Sequence, residues 1–564
     1  MERNSFIAFQ QWLSMKIEWF KMKKNSFVEG TIIATVAIIL VKIMGMLYVI
    51  PFYAIVGEQG SALYAYAYNI YLIFLDISSA GIPIAISKII SEYNTLGMMD
   101  AKVRAFSIGK KIVSSISIVA FIILFLFARS IATLIIGNLS GGNTIEDVAF
   151  VIRCVSFAVL VIPYLSVSKG YLQGHKFIAP PSKSQVIEQV ARITFILVGI
   201  YLSLKVFELS LRIGVGFAVF GATIGGMAAL IYIYYTINKN KKNLSLDSSQ
   251  PKDKVTNKEI RNKIIKYAIP LIIVNTAVSI YNITDLVLIM RTLEYLKFDA
   301  KAVEYIASSI TTWGPKINMI IGSLATGMSV SLIPAISSAF ALKKWPEVNS
   351  KLNKAMQIIL VVSIPMTVGI SLLSRPIWTV FYNNNPLGAS ILSLSIFVAL
   401  FLNLCIVTTS TLQSLNKFKW VYISTIAGFL TNALLDVPLM ILFNKIGISP
   451  FYGAISATLV GYTVSIAIVL VALNKEHKMN YQSTLSVFTK LIVPTSLMVI
   501  AIITLKTLFP FTASGKLMAL IYGGALSVVG ALIYLFTSYK MGIIDSVFGK
   551  NYTDKIIKKL TFKR

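Results

Sequence analysis

The 564-residue sequence predicts an all-α polytopic membrane protein with 14 transmembrane helices, arranged as two pseudo-symmetric six-helix lobes plus two C-terminal helices. Three observations predict it. The chain is 56% hydrophobic and only 13% charged, with a mean hydropathy of +0.76, well outside soluble usage. Its apolar runs are long enough to cross a bilayer, which takes about 20 residues per helix. Two short strings also recur at nearly equal offsets on either side of a polar central linker.

Residues 1–29 read as a cytoplasmic amphipathic N-terminal segment. A basic cluster precedes the first span, and no small-residue cleavage site follows a short apolar core, so the segment is expected to be retained. Spans beginning near residues 30, 63, 106, 148, 184 and 212 make an N-lobe over 30–239. The stretch KKNLSLDSSQPKDKVTNKEIRNK marks a basic cytoplasmic linker over 240–262. Spans beginning near 265, 306, 355, 388, 420 and 451 make a C-lobe over 263–474. The last two spans, near 486 and 516, occupy 475–541, and 542–564 is a basic cytoplasmic tail. Most lysines and arginines fall in the termini and in alternate connections, such as ALKKW at 341–345 and NKFKW at 416–420. Basic residues are retained on the cytoplasmic side during insertion, so both termini are expected there.

The repeat pairs GIPIAISK at 81–88 with LIPAISS at 332–338, and YLQGHKF at 171–177 with TLQSLNKF at 411–418. Span two thus maps on eight and span four on ten in the same orientation. Duplicated halves around a central site suit alternating access.

The net charge of +29 is spread over short segments between apolar runs, which points to anionic lipid headgroups and not to nucleic acid as the counter-surface. Cys154 and Cys405 lie far apart in apolar runs, and His175 and His477 fall in connections without ligand or triad spacing. No P-loop occurs. No metal, cofactor or catalytic residue is therefore expected, and the energy source is expected to be the membrane potential or an ion gradient.

Charged side chains within spans cost a few kcal/mol each and face a cavity or a partner. Lys42 and Asp76 fall at similar depth on neighbouring spans, either as a static ion pair or as a cation and its moderator in a water-filled cavity. Lys316 follows a Gly-Pro break in span eight and is either a second candidate for the cavity or an interface anchor. Lys88 ends span two, as an interfacial anchor or a guide for an anionic head. Asp285 is expected to pair with Lys316 or Arg291, and Asp436, four residues after Asn432, to hold a cation or proton or to pack helices. Glu188 and Arg192 are four apart on one helix face and are expected to pair. Tyr64, Tyr66, Tyr68 and Tyr71 suggest an interfacial aromatic belt, with a sugar-stacking surface as the alternative.

VKIMGMLYVIPFYAIVGEQGSALYAYAYNIYLIFLDISSAGIPIAISKIISEYN, GYLQGHKFIAPPSKSQVIEQVAR and SLIPAISSAF resemble the polysaccharide-biosynthesis branch of the multidrug/oligosaccharidyl-lipid/polysaccharide (MOP) exporter superfamily. Within it, the chain is most similar to lipid II flippases of the MurJ type and their sporulation relatives. The resemblance implies two lobes around a cationic cavity, a hydrophobic groove formed by spans thirteen and fourteen, and an undecaprenyl-pyrophosphate-linked substrate. Lys42 stands where those flippases carry a first-helix base, followed by two apolar residues and Gly45, and Lys316 falls near a second family cation. Where proteobacterial members continue with Arg-Asp this chain has Tyr48 and Val49, and Leu75 and Asp76 correspond to their second-helix arginines.

The reading from sequence is a flippase of the bacterial plasma membrane that moves a polyprenyl-pyrophosphate-linked cell-wall precursor, lipid II first among them, to the outer leaflet. Lys42, Lys316, Lys88 and Asp76 would meet the cargo, and Asp285, Asp436, Glu188 and Arg192 would couple ions or form structural pairs. The alternatives are a cation-coupled multidrug or metabolite exporter, or a translocase for another prenyl-linked repeat. A membrane glycosyltransferase fits less well because the extracytoplasmic connections are short; a noncatalytic scaffold is the remaining alternative, and a leaflet assay of a labelled prenyl-linked substrate separates these readings.

Overall fold

A computed structural model describes residues 27–549 apart from 78–80, 138, 140–141, 242–243, 245–252 and 513–514. Most of the N-terminal segment, the middle of the linker and the end of the basic tail lie outside the described residues. Every regular element among the described residues is helical.

In chain order the helices are α1 (Phe27–Leu47), α2 (Val49–Asp76), α3 (Ile82–Thr95), α4 (Met99–Leu126), α5 (Ala128–Ile136), α6 (Ile145–Gly174), α7 (Ala179–Tyr201) and α8 (Leu211–Lys239). There follow α9 (Asn257–Tyr295), α10 (Ala300–Ser308), α11 (Gly314–Ala341), α12 (Trp345–Leu372), α13 (Ser374–Tyr382), α14 (Pro386–Ser414), α15 (Phe418–Lys445) and α16 (Phe451–His477). The chain closes with α17 (Gln482–Leu508), α18 (Lys516–Lys540) and α19 (Ile543–Phe548). Among the described residues, ten helices are long and apolar enough to cross a membrane, and they fall on expected spans three to six and nine to fourteen. Expected spans one, two and eight fall instead on interrupted helices. Gly57 breaks α2 with φ 68°, a left-handed conformation that costs glycine little and kinks the helix there. A π-helical turn, Ser309–Trp313, separates α10 from α11 just before Gly314-Pro315.

The chain forms two compact units. The first contains the described residues up to Gly45, Ile70–Ala128 and Ala149–Thr276. The second contains Met46–Asn69, Arg129–Val148 and the described residues from Ala277 onward. Specific contacts join the separate segments of the second unit. Asn143 gives its backbone N–H and its Nδ2 to the two carboxylate oxygens of Glu304, at 2.8 and 2.9 Å. Asn69 Nδ2 donates to Thr312 Oγ1 at 2.8 Å.

Within the first unit, the two repeated motifs pack on each other. A Cβ on Gly170 would lie 2.5 Å from the Pro83 carbonyl oxygen, and one on Gly174 would lie 2.7 Å from Ile90 Cβ. Only glycine lets α6 approach α3 so closely, so the strings GIPIAISK and GYLQGHKF are two sides of one helix contact. Around it, Ile86, Ile89, Val113, Tyr171 and Ile233 form a buried apolar core. Helices α7 and α8 also approach closely, because a Cβ on Gly225 would meet the Glu188 carbonyl oxygen at 2.6 Å.

In the second unit, α15 and α16 cross where Gly428 and Gly461 each face the other's carbonyl oxygen, at 2.8 and 2.7 Å from an added Cβ. Elsewhere large apolar side chains such as Ile118, Val119, Ile122 and Leu126 on α4 point outward. Among the described residues, many serines, threonines and asparagines are buried while large apolar residues are exposed, which suits lipid as the surrounding solvent.

Candidate functional site

The first unit holds a polar chamber of about 480 Å³ in the middle of apolar helices. Lys42 on α1, Asp76 at the end of α2, Lys169 on α6, and Glu188 and Arg192 on α7 line it. The remaining polar wall is made of Ser166, Gln173, Gln185 and Gln189. Close helix approach aims these groups inward. Gly45 leaves room for Gln189, whose Nε2 would lie 3.2 Å from a Cβ there, and Gly225 lets the turn carrying Glu188 and Arg192 lie against α8.

Four of the eight residues singled out from sequence thus meet in one place. Lys42 is half-buried and makes no ion pair and no hydrogen bond among the described residues. The static Lys42–Asp76 pair considered from sequence is not formed; both side chains instead face the same chamber. The Glu188–Arg192 pair is formed at 2.9 Å, and Lys169, which sequence reasoning missed, binds the other carboxylate oxygen at 3.0 Å. Arg192 also donates to the Tyr71 hydroxyl at 3.3 Å. Three cations against two carboxylates leave the chamber with one net positive charge, and Lys42 is the one of the three without a partner among the described residues.

Lys88 lies in a neighbouring cleft of about 720 Å³ formed by the cytosol-expected end of α3. Its ammonium sits 4.1 Å from the centre of the Tyr267 ring. Ile84 and Gln173 border both the cleft and the chamber, so the two are adjacent.

Lys316 belongs to the second unit and is 7% exposed. It donates to the Tyr68 hydroxyl at 3.1 Å and lies 4.3 Å from the Tyr68 ring centre and 5.8 Å from that of Tyr48. Aromatic faces and one phenol oxygen, in place of a carboxylate, hold its charge. The expected aromatic belt is corrected by the same contacts. Tyr64, Tyr66 and Tyr71 are buried, and Tyr64 stacks on Tyr68 and Trp313. On a helix, side chains two apart point to opposite sides, so their burial means that α2 is packed on both faces there.

Asp285 pairs with neither Lys316 nor Arg291, correcting that expectation. Asn432 Nδ2 donates to Asp285 Oδ1 at 2.6 Å, and Thr458 Oγ1 lies 3.3 Å from Oδ2. Arg291 instead bonds the Thr133 and Leu134 carbonyls. Asp436 is completely buried, one turn from Asn432, and neither of its oxygens has a donor among the described residues. Its charged neighbour is Asp285. Two carboxylates so close together in a buried site repel each other. The glycine crossing of α15 and α16 assembles this cluster from three helices.

A third feature is an apolar groove of about 460 Å³ between α12, α17 and α18, bordered by Pro365, Gly369, Met498, Ile502 and Gly530. Tyr534 closes one wall by donating to the Val361 carbonyl at 2.6 Å.

Comparison with known proteins agrees with this architecture. The family described as Polysaccharide biosynthesis protein matches residues 27–340, and the MatE family matches 270–437. The chain is 33% identical over 536 residues to the lipid II flippase MurJ of Bacillus subtilis (strain 168), covering 93% of this chain and 97% of that one. Its fold is similar to a solved lipid II flippase MurJ in an inward closed conformation, with a TM-score of 0.65 at 18% identity over 91% of this chain and 99% of that one. It is also similar to an inward-facing multidrug resistance MATE transporter of the MOP superfamily, with a TM-score of 0.59 at 14% identity over 80% and 99%. These relatives are transporters and not enzymes. The chain belongs to the polysaccharide biosynthesis protein family and is a MurJ-like, multi-pass membrane transporter of the MOP superfamily.

Proposed function

We propose that the protein flips a polyprenyl-diphosphate-linked saccharide, lipid II in the first instance, from the inner to the outer leaflet of the bacterial plasma membrane by alternating access. The observation that carries this reading is Lys42, an ammonium with no partner among the described residues, in a polar chamber lined by apolar helices. A partly desolvated cation attracts a diphosphate far more strongly than it would in bulk water. Asp76 moderates that charge between cargoes, Lys88 draws the head toward the chamber from the adjoining cleft, and Lys316, held by Tyr68, is a further candidate cation for the cargo. The groove of α12, α17 and α18 suits the prenyl tail, which gains nothing by leaving an apolar surface. Anionic lipids would meet the basic connections and termini, with both termini in the cytoplasm. Depleting the protein in its host and identifying the lipids that build up tests the cargo. The expected result is accumulation of one diphosphate-linked glycolipid in the inner leaflet; unchanged lipid-linked saccharides would rule the proposal out.

The Asp285, Asn432, Asp436 and Thr458 cluster favours a refinement, that a monovalent cation or proton bound there couples a gradient to the cycle. The same cluster would serve the alternative, a cation-coupled exporter of drugs or metabolites, but that reading leaves Lys42 without a purpose.

A further inference from the structure

Glu188 occupies an unusual position in the chamber. Each of its two carboxylate oxygens holds a different cation, Lys169 at 3.0 Å and Arg192 at 2.9 Å, and the three side chains are mostly buried. The two cations come from different helices, α6 and α7, so the carboxylate joins these helices as well as their charges. Lys42 faces the same space with no such partner. A diphosphate arriving there first meets one uncommitted cation. To gain a second and a third it must compete with the Glu188 carboxylate, which has the same charge sign and accepts the same hydrogen bonds.

On this basis, which rests on the diphosphate reading above, we propose that Glu188 is a specificity-determining residue that keeps Lys169 and Arg192 in reserve and limits how tightly the chamber holds its anion. A singly charged headgroup gains little by displacing a carboxylate, whereas a diphosphate offers enough acceptors and charge to take one or both cations. Bidentate acceptors suit the arginine fork in particular. When the diphosphate leaves, Glu188 takes the cations back, so neither is left buried and unpaired, a state that would oppose release.

The test uses the full-length protein in lipid nanodiscs, titrated with inorganic diphosphate at low ionic strength, where screening is weakest. Glu188→Gln is expected to bind diphosphate at least about tenfold more tightly than the wild type, a difference of about 1.4 kcal/mol. Its affinity for inorganic phosphate should rise by a smaller factor, and its transport turnover should fall. Glu188→Asp should restore wild-type affinity, and Lys169→Gln should weaken diphosphate binding. Tighter binding cannot arise from a damaged fold, so that outcome separates the proposal from a purely structural role. If Lys42→Ala weakens binding while Glu188→Gln matches the wild type or binds less tightly, the reserve role is overturned and the diphosphate reading stands. Should wild type and Lys42→Ala bind diphosphate equally, the underlying reading fails, and this one with it.

Discussion

Replacing Gly225 by alanine would place a methyl carbon 2.6 Å from the carbonyl oxygen of Glu188 and 2.9 Å from Arg192 Cβ. Ordinary contact begins at 3.4 Å. The nearest obstacle is backbone, which cannot rotate aside as a side chain can, so α7 and α8 must separate by several tenths of an ångström. Overpacking of this kind costs about 1–3 kcal/mol, and removing a mid-helix glycine returns about 0.5–1 kcal/mol. A net destabilisation of about 1 kcal/mol, at most about 2.5, follows. Gly524 provides the control, because a Cβ there meets nothing within 4 Å. Thermal unfolding of the purified protein should show Gly225→Ala melting below the wild type and Gly524→Ala at or slightly above it. Diphosphate affinity should change in Gly225→Ala, since the turn it displaces carries Glu188 and Arg192. Equal melting temperatures for both variants would refute the claim that glycine-mediated approach of these helices builds the chamber wall.

Other consequences follow from single contacts. Tyr68→Phe removes the oxygen that accepts from Lys316 but leaves the ring beneath it. It should lower stability by about 1 kcal/mol in the same melting experiment. Asp436→Asn removes a carboxylate from a buried site in which neither oxygen finds a donor among the described residues. Its stability should equal or exceed that of the wild type, while the dependence of transport on an imposed cation or proton gradient should fall at least about tenfold, or about 1.4 kcal/mol; an unchanged dependence would remove the coupling role from this cluster.

The sequence was most informative where physical cost is highest. Lys42, Asp76, Glu188 and Arg192 stand out because charges within apolar runs need a cavity or a partner, and the structure brings all four to one chamber. The four-residue spacing of Glu188 and Arg192 made their pairing readable before any tertiary contact was known. Lys169 was overlooked because a lysine near the end of an apolar run resembles an interfacial anchor; its distinction is Glu188, on another helix. The partners of Asp285 were hidden for a related reason. They come from α15 and α16, and only the crossing at Gly428 and Gly461 brings them together. The tyrosines of α2 were misread because alternate spacing in a sequence does not say which sides of a helix are covered. The interruptions have a clearer trace, since a glycine stands at residue 57 and Gly314-Pro315 follows the π-turn.

Lipid flipping in reconstituted vesicles tests the role of Lys42 most directly. A fluorescent polyprenyl-diphosphate saccharide is placed in one leaflet, and its appearance in the other is followed for the wild type, Lys42→Ala and Lys42→Arg at matched protein levels. Transport should disappear with alanine and persist with arginine, because the chamber needs a positive charge at that depth and arginine keeps it. Wild-type flipping by Lys42→Ala would contradict the account.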